Sequence, residues 1–130
     1  MSQFEPFAIA LRLSGVTVAQ SELEMALKQL TVRYEPEDAD GSFYAQVDVP
    51  VQHPVRAILD LADRSGPTLA AMLADRRIGR AVLDMAFDYP EAGESMSARL
   101  PAHAAAAIAG HGVDLELSVY LTDVEEDEDD

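Results

Sequence analysis

The sequence predicts an α+β domain: a mainly antiparallel sheet of about six strands, three or four helices on one face, and a ferredoxin-like order in the first part. Three observations carry this expectation. Short segments alternate apolar and polar residues with a period of two, as half-buried strands do. Between them lie segments whose apolar residues recur every three to four positions, as on one face of a helix. And neighbouring strand-like segments are joined by Pro-, Gly- and acid-rich turns, which makes hairpins and therefore antiparallel pairs.

The elements follow in order. FAIALRL (7–13) places Phe7, Ile9, Leu11 and Leu13 on one side and Ala8, Ala10 and Arg12 on the other, a strand that Ser14-Gly15 is expected to break. TVAQSELEMALKQL (17–30) changes period: Leu23, Ala26, Leu27 and Leu30 fall on one helical face, and Thr17 or Ser21 is placed to cap its start. TVRYE (31–35) and FYAQVDV (43–49) form a hairpin across the acidic loop PEDADGS, and Pro50 ends it. PVRAILDLADRSG carries a stripe of Val55, Ile58, Leu59 and Ala62; Gly66-Pro67 interrupts it, and PTLAAMLADRR resumes with Leu69, Met72 and Leu73, which reads as two short helices or one broken helix. RAVLDMAFDY (80–89) is a strand, PEAGE a turn, and SMSARL the returning strand, with Met96, Ala98 and Leu100 on one side. PAHAAAAIAG is a small-residue helix closing at Gly110, and DLELSVYL (114–121) is a last strand with Leu115, Leu117, Val119 and Leu121 inward.

If every element reverses direction and the broken helix counts as one traverse, the PEDADGS loop and the C-terminal end leave the sheet together. Glu35, Glu37, Asp38 and Asp40 would then join the tail acids in one negative rim.

With 130 residues and 48% hydrophobic composition, the chain reads as one globular domain, residues 1–122, followed by an acidic segment, 123–130, expected to be disordered. There is no cysteine, which removes disulfides, thiolate metal sites and cysteine nucleophiles. The opening MSQFEPF lacks a basic region followed by a long apolar one, and no run approaches the ~20 apolar residues of a membrane span, so a cytoplasmic chain is expected.

Charge sets this chain apart. It has 24 Asp and Glu against 9 Lys and Arg, a net charge of −15. Asp123, Glu125, Glu126, Asp127, Glu128, Asp129 and Asp130 supply 7 of the acids; without them 17 acids still face 9 bases, so the body is acidic as well. Binding to nucleic acid or to an anionic membrane is disfavoured, because the phosphate term would be repulsive. A basic protein would be attracted.

The motifs that could carry chemistry are incomplete. DADG (38–41) suggests a calcium loop, but aligning Gly41 with the required glycine puts Pro36 first and Val47 last, where carboxylates are needed. GHG (110–112) lacks a third glycine and runs from helix into strand, the reverse of a dinucleotide loop. GESMS (93–97) lacks the second glycine of a nucleophile elbow. His53, His103 and His111 have no metal-ligand spacing. Asp84 and Asp88 share one face of a strand and would suit acid–base work only if that face were enclosed. Arg76, Arg77 and Arg80 of RRIGR could clamp an anion, or pair with nearby acids and helix ends.

The stretch SARLPAHAAAAIAGHGVDLELSVYL resembles the closing segment of a bacterial family of domains of unknown function, numbered four-two-seven-nine: a Leu-Pro start (Leu100-Pro101), a short apolar helix (102–109), Gly110, and an alternating strand ending near Tyr120. FAIALRLSGVTVAQSELEMAL is similar to that family's first strand and helix. The resemblance implies a compact α+β bacterial protein and no activity.

The functional expectation is a non-enzymatic acidic binding protein without cofactor or metal. Its concrete form is a bacterial immunity or inhibitor protein masking a basic toxin or enzyme, with Glu35, Glu37, Asp38, Asp40, Tyr44, Asp123, Glu125 and Glu126 at the contact. Two alternatives stand beside it. A small-molecule-sensing regulatory domain would show a pocket, or a homodimer joined through sheet edges. A small enzyme would bring Asp84, Asp88 and a histidine into one cleft.

Overall fold

A computed structural model describes residues 4–37, 41–89 and 97–121. The element order is β1 (Ala8–Val16), α1 (Gln20–Leu27), β2 (Arg33–Pro36), β3 (Phe43–Val49), α2 (Pro54–Ala74), β4 (Arg80–Tyr89), α3 (Ala102–Ala109) and β5 (Asp114–Leu121). The α+β class is as expected, with five strands in the order β2-β3-β1-β4-β5 and three helices. Every strand pair is antiparallel except β4 with β5.

The three inner strands obey the alternation in the sequence; at the edge, Leu115, Leu117 and Val119 of β5, expected inward, lie on the helix side but stay 39%, 66% and 57% exposed. Ile9, Leu11 and Leu13 of β1 sit in the centre of the sheet, level with Val47 of β3 and Leu83 of β4, and all are buried against the helices. Ser14-Gly15 does not end β1. The strand continues to Val16 through a bulge, where the Gly15 N–H is bonded to Glu37 Oε1 (2.9 Å) and Val16 regains the core.

The α1 helix is shorter than its apolar stripe. It begins after Ala19 with no side-chain cap and ends at Leu27, so neither Thr17 nor Ser21 caps it and Leu30 lies outside it, exposed. Lys28 adopts a left-handed conformation (φ 61°) and closes the helix on the Glu24 carbonyl. The Glu24 carboxylate then accepts from the Thr31 N–H (2.9 Å) and Oγ1 (2.7 Å), which turns the chain into β2.

Gly66-Pro67 does not divide α2, which is continuous over 21 residues. A proline inside a helix removes one backbone bond and costs about 3 kcal/mol. The buried stripe runs unbroken across it: Ile58, Leu61, Ala62, Ser65, Leu69 and Met72. Burying a side chain such as Leu69 or Met72 is worth about 1.5–3 kcal/mol, so the stripe outweighs the break. Ser65 Oγ also donates to the Leu27 carbonyl (2.8 Å), tying α2 to the end of α1. Gly66 is where the loop after α3 comes closest: a Cβ there would meet the His111 ring at 2.2 Å.

Residues 97–100, expected in a returning strand, are irregular; Ser95, Met96 and the PEAGE turn lie outside the described residues. Three alternating positions do not compete with DLELSVYL for the place beside β4. The chain instead passes through α3, whose Ala104 and Ile108 are buried, and β5 enters parallel to β4. Gly110 is helical (φ −63°), and it is Gly112 that takes the left-handed turn (φ 90°).

This crossover sets the end of β5 apart from the turn between β2 and β3. The turn between β2 and β3 lies at the end of the sheet where Val16 meets Phe43 and β4 begins. Leu121 lies level with Tyr89 at the opposite end, and β2 and β5 are opposite edges. The described chain therefore ends at Leu121 away from the β2–β3 turn, while Asp38, Asp40 and the tail acids of the expected negative rim lie outside the described residues. Among the described residues no helix is long and apolar enough to cross a membrane.

Candidate functional site

All three helices pack on one face of the sheet, so the other phase of each strand forms an open face. Across it run Arg33 and Glu35 of β2; Tyr44, Gln46 and Asp48 of β3; Ala8, Ala10, Arg12 and Ser14 of β1; Val82, Asp84, Ala86 and Asp88 of β4; and Asp114, Glu116, Ser118 and Tyr120 of β5. A sheet face that faces solvent in an antiparallel fold is expected to be polar. This one is polar at both sides, with a strip of small residues, Ala8, Ala10 and Ala86, between them.

On the β2–β3 side a chain of contacts fixes the polar groups. Arg33 donates twice to Glu35 (Nε to Oε2 2.9 Å, Nη2 to Oε1 3.2 Å), and its guanidinium lies 5.2 Å from the centre of the Tyr44 ring. Tyr44 donates its hydroxyl to Gln46 Oε1 (2.9 Å), and Gln46 Nε2 donates to Asp48 Oδ1 (3.3 Å). The hydrogen bonds and charge of Arg33 hold the Glu35 carboxyl below its ordinary pKa, and Glu35 in turn raises that of Arg33.

On the β4–β5 side the centre is Asp84. Only 7% of it is exposed, although it lies on the open face. Ser118 Oγ donates to its Oδ1 (2.7 Å), and Arg12 Nη2 stands 3.7 Å from Oδ2. One carboxylate thus links β1, β4 and β5. Arg80 pairs with Asp114 (3.5 Å) at the head of the same strands. Near the other end the Tyr120 and Phe7 rings meet edge-on, 5.7 Å between centroids. Six carboxylates on this face (Glu35, Asp48, Asp84, Asp88, Asp114, Glu116) meet three arginines (Arg12, Arg33, Arg80), each already paired with one of them, so the face is net negative.

Of the residues expected at a partner contact, Glu35, Glu37 and Tyr44 are among the described residues. Glu35 and Tyr44 lie opposite one another on β2 and β3, on the open face. Glu37 is turned to the Gly15 N–H at the sheet's end. Asp38, Asp40, Asp123, Glu125 and Glu126 lie outside the described residues, as does the DADG loop's acidic part. Phe43, beside Tyr44 in sequence, is stacked on Tyr34 on the helix side (4.7 Å). Burial raises the Tyr34 pKa, and its hydroxyl donates to the Val18 carbonyl.

Asp84 and Asp88 share the open face, whereas the histidines belong to the helical layer. His53 precedes α2 and lines a cleft of about 510 Å³ with Phe4, Glu5, Arg56 and Arg99; His111 lies against Gly66 beside a second cleft with Asp63 and Ala107. Neither cleft includes Asp84 or Asp88. Two of the RRIGR arginines are paired: Arg77 Nε lies 2.9 Å from Asp75 Oδ2, and Arg80 lies 3.5 Å from Asp114. Among the described residues no group of three or more His, Asp or Glu could hold a metal ion.

Arg12, Arg33, Gln46, Asp48, Glu116, Ser118 and Tyr120 were not picked out by motif. The signal that finds them is the strand alternation itself: once the apolar phase is given to the core, the polar phase of every strand falls on one shared face. Comparison with known proteins returns no relative, since no family model, no curated protein and no solved structure matches this chain.

Proposed function

We propose that this chain is a non-enzymatic binding protein, acting in the cytoplasm, whose open sheet face engages a basic protein; an immunity or inhibitor protein that masks a basic toxin or enzyme is its concrete form. The observation that carries this reading is the open face: a net-negative polar sheet surface with Tyr44 and Tyr120 at its two sides. Carboxylates speed the approach of a cationic surface, and aromatic side chains beside small residues supply anchors that bury apolar area at low entropic cost. The test is affinity capture from source-cell lysate at low and physiological salt, with the full chain, a form ending at Leu121, and a Tyr44→Ala/Asp48→Lys variant. One discrete basic partner, kept by the shortened form and lost by the face variant, supports the reading. A discrete partner lost only on shortening gives the role to the acidic end. A salt-sensitive smear of basic proteins refutes a specific partner.

A second reading, a small-molecule sensor, has its own observation. The 510 Å³ cleft gathers His53, Arg56 and Arg99, with Glu5 beside them, over Phe4, Val55 and Pro101 in a chain of net charge −15. Such a lining suits a small anion with an apolar part. A thermal-shift panel of aromatic carboxylates and phosphate esters, run with an Arg56→Glu/Arg99→Glu control, tests it; no ligand-dependent shift removes it.

A further inference from the structure

The described chain ends beside a cleft that carries unpaired arginines. The last residue of β5, Leu121, pairs with Tyr89 at the end of the sheet where β1 starts and β3 finishes. The cleft of His53, Arg56 and Arg99 lies at that same end. Phe4 lines it and meets Phe87 edge-on, 5.7 Å between ring centroids, and Phe87 pairs with Val119, two residues before Leu121. Both α2 and α3 begin there, at Pro54 and Ala102, with no side-chain cap and no acid in the first turn. Their free amide ends add partial positive charge to that of the arginines.

The charge in the cleft is unbalanced. Arg56 and Arg99 have no carboxylate partner among the described residues, whereas Arg12, Arg33, Arg77 and Arg80 each have one. Glu5 is the one acid among the described lining residues, against two guanidiniums. Residues 122–130 follow Leu121 and carry seven acids, from Asp123 to Asp130. Two residues reach at most about 7 Å and nine about 30 Å, so these carboxylates cover the path from Leu121 past Val119 and Phe87 to the cleft. Other surfaces suit them less. At this end the open face carries Asp88 and is net negative, and Arg77 and Arg80 stand at the opposite end of the sheet, beside the end of β1.

We propose that the acidic segment after Leu121 docks in this cleft as an internal anionic ligand, its carboxylates on Arg56 and Arg99. One exposed ion pair is weak by itself, but the tether holds several carboxylates at an effective concentration on the order of millimolar. The segment is the occupant because it starts at the cleft's end of the sheet and bears the complementary charge. Docking involves neither the open face nor a small molecule.

The test uses the full chain, which has no natural cysteine, so that Glu128→Cys carries a single nitroxide label and leaves six of the seven acids. At low salt the label is expected to broaden the amide resonances of His53, Arg56 and Arg99 more than those of Phe7 and Asp88, which lie nearer to Leu121. This preference should be lost in 1 M salt, where the screening length falls to about 3 Å. It should also be lost in Arg56→Glu/Arg99→Glu, whose exposed positions predict an unchanged circular dichroism spectrum. Labelled chain mixed with an isotope-enriched, unlabelled chain should give no broadening in the latter. Broadening that simply follows distance from Leu121, that survives the double substitution, or that appears between copies would each overturn the proposal. Phenyl phosphate that shifts the Arg56 and Arg99 amides while the label leaves them sharp would keep the sensor reading and end this one. Partner capture by the open face reads another surface and stands or falls separately.

Discussion

Replacing Asp84 by alanine tests whether the open face is organised by a buried charge. The side chain is 8% exposed, accepts a 2.7 Å hydrogen bond from Ser118 and stands 3.7 Å from Arg12, whose own side chain is 41% exposed. A hydrogen bond to a charged group contributes about 1.5–3 kcal/mol. The half-exposed ion pair adds no more than about 1 kcal/mol, because water screens it and can rehydrate Arg12. The loss should therefore be about 2–3 kcal/mol, or roughly 6–12 °C in Tm for a chain of this length. Urea unfolding followed by circular dichroism reads it. Ser118→Ala and the double variant complete a cycle, in which contacting groups are expected to couple by about 1 kcal/mol or more. If Asp84→Ala left the midpoint unchanged, or if the two substitutions were simply additive, Asp84 would not link the strands as described.

Three other perturbations follow from the same structure. Leu83 is fully buried at the centre of the sheet, and Leu83→Ala should cost about 2–5 kcal/mol by denaturant unfolding. Pro67 is exposed within α2; Pro67→Ala restores a backbone N–H and should raise stability by about 1–2 kcal/mol after the looser unfolded chain is counted, whereas a lower midpoint would mean that Pro67 itself helps to hold Gly66 against His111. Hydrogen bonds from Thr31 hold the Glu24 pKa below its usual 4.5. Such a group stabilises the fold above pH 4.5, and the contribution is lost as the pH falls through the lower folded-state value; Glu24→Gln should therefore lose less stability between neutral and strongly acid pH than the unmodified chain, and an identical acid profile would contradict the assignment.

The buried faces of β1 and β3 were legible in the sequence, whereas Leu115, Leu117 and Val119 of β5, expected inward, stay exposed at the sheet's edge. The alternation of Ile9-Leu11-Leu13 and Ala45-Val47-Val49 needs no tertiary information, because a period of two admits one way of hiding these side chains; in β4 Val82 and Asp84 share one phase, so the pattern left its face open and the structure turns Leu83, Met85 and Phe87 inward. The open face was present in the same alternation, and Glu35, Tyr44, Asp84 and Asp88 were on it from the start. What tertiary structure decided was competition between elements. Continuous burial along α2 overrode Pro67, whose cost is local while the gain extends over Leu69 and Met72. DLELSVYL took the place beside β4 that SMSARL was expected to fill, and so reversed the direction of the last strand. That one replacement moved Leu121 to the far end and far edge from Glu37, because strand direction depends on which segments pair and not on the pattern within any one of them.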